Sequence, residues 1–395
     1  MKKTSKALAL LLLLMFAAVL FFSVLHVSNK NEETPVSLPV PDDYETEKTS
    51  PSQQPPLEVN QGNPKIERLL DFIKNKMTNQ YGVFTNYQGT KEDREMATGH
   101  EVLSESAGFM MAFAVSAQME GLFKTEVSKM QRTFDTGKLF SYRYSPLKEK
   151  IYPVNATVDD LRIIRVLDHA ADVFEDPSWR NLSQTYAKRF SQTNLIDDHL
   201  IDFYDGDLGI KSQQITLCYI DLTALSLLPL SEKSLNKLLK TQETILTEGY
   251  LSDEFPLYQT RYNYDSKQYQ DSQQINIVES LISVLHLVRQ DKQRPESIAY
   301  LKSQTAKGKL YNGYGPKGQI LDDNQSTASY ALSAIIAARL GDLDFYETAI
   351  KHMEKFQVLD QQSPFYGAFG NAGTQEFYSF DNLLALLAYQ ANPTT

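Results

Sequence analysis

Amphipathic segments with helical spacing, joined alternately by short and long connections, are the feature that most constrains the fold of this 395-residue chain. In the first segment Ile66, Leu69, Leu70 and Ile73 recur at helical intervals and so lie on one face of a helix. The same spacing predicts eleven further helices, and no segment predicts a strand pair. These helices cover 102–120, 125–133 (part of one helix), 158–167, 178–193, 214–228, 231–246, 272–290, 295–306, 325–340, 343–357 and 379–391.

The lengths of the connections predict how these helices are arranged. Short connections follow the second, fourth, sixth, eighth and tenth helices, and loops of about 17–25 residues follow the odd-numbered ones. Helices that alternate in direction place all the long loops at one end of the molecule. We therefore predict an all-α fold, an (α/α)6 barrel whose inner ring contains the even-numbered helices. Because long loops in compact domains usually carry function, we expect the functional site at their end.

The N-terminal segment predicts export and attachment to a membrane. Lys2, Lys3 and Lys6 precede an apolar run over 7–27, which at about 1.5 Å per residue is long enough to cross a bilayer as a helix. We expect residues 1–27 to be an uncleaved signal anchor; a cleaved export signal is the alternative. Since the basic residues stay cytoplasmic, the remainder of the chain should be extracellular.

The next segment has the composition of a tether. Residues 28–63 are rich in proline and in acidic and polar residues, so we expect them to be a disordered linker. No composition break divides the rest, and 64–395 is predicted to be one domain. The only cysteine is Cys218, so a lipid attached to a cysteine after the apolar run is excluded.

Composition excludes several classes of function. A net charge of −10 repels phosphate backbones, so no nucleic-acid partner is expected. One cysteine and six scattered histidines give no metal-binding spacing, and neither a metal nor another cofactor is predicted. There is no G-x-S-x-G motif, and Cys218 lies in an apolar run, where a buried, inert thiol is expected.

Tyrosine is concentrated in the predicted long loops. The side chains of Tyr152, Tyr204, Tyr262 and Tyr264 are candidates for binding a sugar, because tyrosine meets both the apolar faces and the hydroxyl groups of sugar rings. Simple packing beneath the loops is the alternative. Fifteen of the 22 tyrosines lie in these loops, namely Tyr81, Tyr87, Tyr142, Tyr144, Tyr152, Tyr204, Tyr250, Tyr258, Tyr262, Tyr264, Tyr269, Tyr311, Tyr314, Tyr366 and Tyr378.

Carboxylates at the predicted loop end are the remaining candidates for chemistry. Glu105 opens the second predicted helix, and Asp159 and Asp160 open the fourth. Asp265 lies in the longest and most aromatic loop. An acid in a first helical turn is also favoured by the helix dipole or as a cap, so a structural role is the alternative for the first three.

The segments around these acids resemble the three acidic motifs of glycoside hydrolase family 8, S-E-G-Q-G-Y-G-M, A-T-D-G-D-L and S-Y-D-A-x-R. The matching positions are Ser104, Glu105, Gly108 and Met111 in the first motif, Ala156, Thr157, Asp160 and Leu161 in the second, and Tyr264, Asp265 and Ser266 in the third. This chain departs from the family at Val158, which replaces an aspartate, and at Gln268, which replaces an arginine.

The resemblance implies an (α/α)6 barrel that hydrolyses a polysaccharide with inversion. It implies that Glu105 is the proton donor and Asp265 the base that activates water. Asp160, or Asp159 after a small shift, would hold a distorted sugar in the central subsite. Inversion requires about 6.5–9.5 Å between the acid and the base. Glu105 must then stay protonated near neutral pH, so we expect its pKa to lie well above about 4.3.

Anchoring beside the membrane predicts that the substrate is a polysaccharide secreted by the same cell. Members of the family accompany exopolysaccharide synthesis systems, and such machinery is an expected partner. Because Trp179 is the only tryptophan, a β-linked polymer with amino-sugar or substituted units is expected rather than a flat glucan. We therefore expect an endo-acting hydrolase of an exopolysaccharide. The alternatives are a non-catalytic polysaccharide-binding surface protein and an (α/α) barrel lyase with a tyrosine or histidine base.

Overall fold

The computed structural model describes residues 63–91, 96–270 and 273–392. The predicted anchor over 1–27 and all but the last residue of the predicted linker lie outside these ranges. Twelve α-helices occur within them: α1 (Pro64–Lys76), α2 (Ser104–Ser116), α3 (Glu120–Phe134), α4 (Thr157–Val173), α5 (Pro177–Thr193), α6 (Leu222–Leu225), α7 (Glu232–Glu248), α8 (Ile277–Val288), α9 (Pro295–Lys307), α10 (Thr327–Arg339), α11 (Leu343–Met353) and α12 (Ser379–Gln390). No helix in these ranges is long and apolar enough to span a membrane.

The even-numbered helices form a closed inner ring. Helix α2 packs against α4 and α12, α8 packs against α10, and α10 packs against α12. Between α4 and α8 the ring is completed by α6, which contacts α4, and by a 3-10 turn over Leu217–Tyr219, which contacts both neighbours. This arrangement is consistent with the predicted (α/α)6 barrel.

Burial distinguishes the inner helices from the outer ones. Every residue of α8 is buried, whereas the outer helix α7 buries only Leu238, Gln242, Ile245 and Leu246. A helix that is apolar on all sides belongs inside a protein, and a helix with one apolar stripe covers its surface. The inner helices therefore carry the core on both of their faces.

The sixth helix departs most from its predicted extent. Residues 214–228 were expected to be helical, but they form strand β6 (Gln214–Thr216), the 3-10 turn and the short helix α6. The β-branched residues Ile215 and Thr216 pair with the loop over 261–263. The Asp221 side chain then accepts hydrogen bonds from the Thr223 and Ala224 amides and starts a new helix.

Short strands organise the long loops, and the sequence did not predict them. They are β1 (Val102–Leu103), β2 (Arg143–Ser145), β3 (Lys150–Ile151), β4 (Leu195–Ile196), β5 (His199–Leu200), β6, β7 (Arg261–Asn263), β8 (Gln268–Tyr269), β9 (Ile275–Asn276), β10 (Gly313–Tyr314) and β11 (Ile320–Asp322). They form antiparallel sheets in the orders β1-β2-β3, β6-β7-β8 and β11-β10-β9, and a β4-β5 pair. Strands β1 and β9 each run directly into an inner helix, so they fix where the first turns of α2 and α8 lie.

Candidate active site

Glu105 lies in the first turn of α2, at the end of the ring that carries the long loops. Its side chain is 7% exposed. It borders a small cavity of about 30 Å³ at the centre of the ring. The other residues that line this cavity are Leu103, Tyr142, Ala156, Val158, Asp159, Arg162, Cys218, Tyr219, Ile282 and Phe380. Residues from five inner positions of the ring thus converge on one carboxyl group.

The surroundings of Glu105 favour its protonated form. Burial, and then the negative charge of Asp159, raise the pKa of Glu105 to about 8, although the Arg162 guanidinium partly offsets this rise. The helix N-terminus favours the anion and so acts in the same direction as Arg162. A carboxyl group with this pKa still carries its proton at neutral pH, as the sequence-based expectation requires of a general acid.

Asp159 is the carboxylate beside Glu105. It is buried and accepts hydrogen bonds from the Ser104 hydroxyl at 3.1 Å and from Arg162 Nη1 at 2.7 Å. Burial raises the pKa of Asp159, and its ion pair with Arg162 acts in the opposite direction. The Arg162 contact therefore provides a neutralising charge for an acid that has been removed from water.

Asp160 faces a different part of the molecule. It lines a separate small cavity between α4 and α5, together with Tyr186 and Arg189. Its Oδ2 accepts a hydrogen bond from the Asn155 amide at 2.7 Å, and its Oδ1 has no hydrogen-bond partner among the described residues. Of the two alternatives for the central subsite, the structure therefore brings Asp159 to Glu105, and it does not bring Asp160.

Replacing each aspartate by asparagine separates the two alternatives. Asp159→Asn should lower kcat by about 10²–10³-fold, because it removes a charge that acts at the Glu105 cavity. Asp160→Asn should change kcat less than about threefold, because burial raises the pKa of Asp160 well above its usual range and the neutral amide resembles the protonated acid. Initial rates of hydrolysis at pH 6 measure both. A larger loss in Asp160→Asn would reverse the assignment.

Gly108 lies where the Arg162 side chain passes close to α2. The guanidinium lies 4.1 Å from the centre of the Phe109 ring. A Cβ atom at position 108 would lie only 3.0 Å from Arg162 Cδ. A glycine here lets Arg162 pass close to α2 and reach Asp159, which gives a physical reason for this motif residue.

Asp265 lies away from the Glu105 cavity. It is exposed in the turn of the β7–β8 hairpin, and it is not among the residues that line the cavity. Its neighbour Tyr264 accepts a hydrogen bond from Gln242 of the outer helix α7. The hairpin tip therefore lies over the outer layer of helices, and the structure does not bring Asp265 together with Glu105.

Glu279 is a buried carboxylate that sequence reasoning missed. It lies in the first turn of α8, one turn before Ile282, which lines the Glu105 cavity. Residues three apart lie near one face of a helix, so Glu279 lies on the side of α8 that carries Ile282. Burial raises the pKa of Glu279, and Arg261, whose Nη2 lies 4.0 Å from Glu279 Oε1, opposes this rise.

The sequence does contain a signal for Glu279, the spacing of a helix start. The predicted helix began too early, so this signal fell inside it. Asn276 caps α8 by accepting from the amides of Val278 and Glu279. An asparagine followed three residues later by a glutamate resembles the capping-box spacing at a helix start. The predicted start at residue 272 put this pair within the helix, where its position at the loop end was hidden.

The tyrosines of the Glu105 cavity are Tyr142 and Tyr219. Tyr142 belongs to the loop set identified from the sequence, whereas Tyr219 was hidden in the apolar run that was taken for a helix. Of the four selected tyrosines, Tyr152 lies next to Tyr142, with ring centres 6.3 Å apart. The Arg143 guanidinium lies 4.2 Å from the centre of the Tyr152 ring.

The other three selected tyrosines make contacts within the loops. The Tyr204 hydroxyl accepts a hydrogen bond from Lys138 at 2.7 Å. Tyr264 donates to the Leu200 carbonyl and is mostly buried, as expected for a residue that joins two loops. Tyr262 packs edge-on against the rings of Tyr264 and Tyr269. These contacts favour packing for Tyr262 and Tyr264, and Tyr152 remains the sugar-binding candidate nearest to the cavity.

Comparison with known proteins finds a relative in sequence and several solved structures with a similar fold. No family model matches the sequence. The chain is 27% identical over 290 residues to "Putative lipoprotein YdaJ" of Bacillus subtilis (strain 168), covering 72% of this chain and 78% of the relative. Among solved structures it resembles a novel alpha-amylase from Clostridium perfringens, with 29% identity and a TM-score of 0.77, over 83% of this chain and 97% of the other.

More distant solved structures show the same fold. PssZ from Listeria monocytogenes is 17% identical with a TM-score of 0.64, over 83% of this chain and 96% of the other. Endoglucanase Cel10, a family 8 glycosyl hydrolase from Klebsiella pneumoniae, is 14% identical with a TM-score of 0.58, over 82% and 99%. The chain has the fold of the family 8 glycoside hydrolases, as the resemblance of its motifs implied.

Proposed function

We propose that this protein is an endo-acting, inverting hydrolase of a polysaccharide, with Glu105 as its general acid. The observation that carries the proposal is the buried Glu105, whose pKa of about 8 keeps it protonated beside the ionic pair of Asp159 and Arg162. In the reaction, Glu105 gives its proton to the glycosidic oxygen as the bond to the anomeric carbon breaks. A second carboxylate removes a proton from the water that attacks this carbon from the opposite face.

Two residues are candidates for the second carboxylate. Asp265 was predicted for this role from the motif, but it is exposed over the outer layer of helices. Glu279 is buried in the first turn of α8, one turn before Ile282, which lines the Glu105 cavity. Asp159 is held by Arg162 and Ser104, which suits a residue that binds and orients a sugar. These contacts favour Glu279 as the base.

A pair of amide variants tests this assignment. Glu279→Gln should lower kcat by about 10²–10⁴-fold, the range for loss of a general base, and Asp265→Asn should leave kcat within about threefold. Added azide should restore turnover to Glu279→Gln, because this anion attacks the anomeric carbon without needing a base and leaves a glycosyl azide of inverted configuration. Normal turnover in Glu279→Gln, with a large loss in Asp265→Asn, would return the role to Asp265.

The proposed polymer is argued from the residues of this chain, because the similar structures differ in substrate. The similar structures include a protein titled as an alpha-amylase and another titled as an endoglucanase, so their substrates differ in linkage. The sequence favours a β-linked, amino-sugar-containing exopolysaccharide, because tyrosine and polar groups line the site and the single tryptophan, Trp179, packs against Phe123 of an outer helix. We keep this polymer as the proposed substrate.

Incubation of the full chain with three polymers tests both the reaction and the substrate. The panel is a soluble starch, a soluble β-1,4-glucan and a β-linked amino-sugar polymer. We expect new reducing ends with the amino-sugar polymer, and proton NMR should show the inverted anomer first. Binding of a polymer without cleavage, unchanged by Glu105→Gln, would indicate the non-catalytic alternative. Ultraviolet-absorbing unsaturated ends from a uronate-containing polymer would indicate a lyase.

We further propose that the enzyme acts outside the cell while held at the membrane, near exopolysaccharide synthesis machinery. The relative from Bacillus subtilis carries the name of a lipoprotein, which supports membrane association. The only cysteine in this chain is Cys218, which is buried in the domain, so the predicted anchor over 7–27 is the proposed means of attachment. Recovery of the full chain from membranes by detergent but not by high salt would support this attachment.

A further inference from the structure

A second cavity occupies the axis of the ring on the far side of Arg162 from Glu105. It encloses about 260 Å³ and is lined mainly by aliphatic side chains of α2, α4, α8, α10 and α12. Val158, Arg162 and Ile282 line both cavities, so they form the partition between them. We call this second cavity the bore. Its volume exceeds that of an engineered apolar cavity of about 150 Å³ that holds benzene.

The bore opens at the end of the molecule opposite the long loops. Ser116 and His169 line its mouth near the C-terminal ends of α2 and α4, and both are exposed. Along α8 its lining runs from Ile282 to Arg289, which corresponds to about 10 Å of helix. A ligand could therefore enter the bore without passing through the Glu105 cavity.

The wall of the bore carries an excess of positive charge. Asp221 Oδ2 accepts from Arg165 Nε at 3.0 Å and from Arg289 Nη1 at 3.5 Å, so one carboxylate serves two guanidinium groups. Burial lowers the pKa of the adjacent His286 to about 4, so this residue adds no charge at neutral pH. One cationic charge is left over at the point where aliphatic walls begin.

The electrostatic surroundings of Arg289 are consistent with one positive charge in excess. Burial, and then the positive charge of Arg165, lower the pKa of Arg289 to about 9, and Arg162 and Arg339 act in the same direction, whereas Asp221 opposes them. Helix C-terminal ends favour cations, which explains part of the arginine content at this mouth. This preference of helix ends for cations does not explain why two guanidinium groups share one carboxylate beside an apolar cavity.

We propose that the bore is a second ligand site, which binds a medium-chain carboxylate with its alkyl chain along the aliphatic wall and its carboxylate at Arg165 and Arg289. The two guanidinium groups can each donate to a carboxylate, which is the geometry that arginine favours. The length of the lining suits a straight medium-length alkyl chain, and burial of that chain provides the main driving force. The proposal does not depend on the hydrolase reaction.

Calorimetric titration of the full chain with sodium octanoate tests the proposal. The protein is held in lipid nanodiscs, and the heat of octanoate mixing with empty nanodiscs is subtracted. We expect saturable binding of octanoate, at least about tenfold weaker binding of octanol, which lacks the charge, and no binding of acetate, which lacks the chain. Octanol binding as tightly as octanoate, or octanoate heats that do not saturate, would overturn the proposal.

Variants locate the binding site. Arg289→Gln should weaken octanoate binding about tenfold or more. Ala112→Leu, which fills part of the bore and leaves both arginines in place, should weaken it similarly and guards against misfolding of the arginine variant. Arg132→Gln, an equal change of charge at an exposed position of α3, and Glu105→Gln should bind octanoate like the wild type. Undiminished binding in both bore variants would show that octanoate binds elsewhere.

Discussion

Glu105→Gln should lower the hydrolytic rate by about 10²–10⁴-fold, the contribution expected of a general acid. The amide has the shape of the protonated acid but cannot release a proton to the leaving oxygen. In the wild type, activity should fall as the pH rises through about 8, where Glu105 loses its proton. Rates measured between pH 5 and 9.5 check both results. Glu120→Gln, the same substitution at an exposed position of α3, is the control and should keep full activity.

The same variant should be more stable than the wild type at alkaline pH. The pKa of Glu105 is raised from 4.5 to about 8 in the folded protein, so the native state holds a proton that the unfolded chain releases. The contribution of Glu105 to the stability of the wild type is therefore greatest below about pH 4.5 and falls as the pH rises to about 8, by an amount on the order of a few kcal/mol. The glutamine in Glu105→Gln has no proton to lose in this range, so the variant should not show this fall in stability.

Thermal unfolding as a function of pH distinguishes this result from ordinary destabilisation. The Tm values of Glu105→Gln and the wild type should coincide near pH 4.5, and the variant should have the higher Tm at pH 8.5. An inactive variant with a lower Tm at every pH would mean that Glu105 serves the fold, and the general-acid assignment would then be withdrawn.

Arg162→Met should destabilise the protein by about 3–5 kcal/mol at neutral pH, because it leaves the buried Asp159 carboxylate without its partner. The methionine can still pack on Phe109, so the change isolates the charge. Arg180→Met is the matched control, since Arg180 forms its ion pairs with Asp168 and Asp172 at the surface. Its loss should cost less than about 1 kcal/mol. Urea unfolding measures both.

The pH dependence of Arg162→Met adds a second test. Arg162 lowers the pKa of Glu105 and of Asp159, so both values should rise in the variant. The alkaline fall in residual activity should move to higher pH, and the destabilisation should shrink on acidification as Asp159 gains a proton. Equal losses of stability in Arg162→Met and Arg180→Met, or an alkaline fall at lower pH, would contradict the role assigned to this ion pair.

The sequence was sufficient to predict the ring and to select Glu105 as a candidate. Helical spacing and connection length predicted twelve helices in inner and outer positions, because these signals are local and the outer helices are amphipathic. The motif around Glu105 could be recognised because the glutamate, Gly108 and the small residues near them act within one helix. The pKa of Glu105 also moves in the direction that the apolar neighbours led us to expect.

The break in the sixth helix could not be read from the sequence in the same way. Its residues form an apolar run, and such a run is compatible with a buried helix as well as with a strand followed by a turn. Pairing of Ile215 with Tyr262, 47 residues later in the chain, selects the strand. The same pairing places Tyr219 at the Glu105 cavity, so this tyrosine became visible only with the fold.

The local patterns of this sequence thus determined where helices occur and which of them are inner, whereas the tertiary structure decided which acids meet. Consecutive residues of a helix point about 100° apart, so Asp159 faces Glu105 and Asp160 faces the space between two helical layers. Because the inner helices are buried on all sides, hydrophobic periodicity does not distinguish these directions. Only packing against the neighbouring helices fixes the rotation of α4 that brings Asp159 to the Glu105 cavity and Asp160 to the other one.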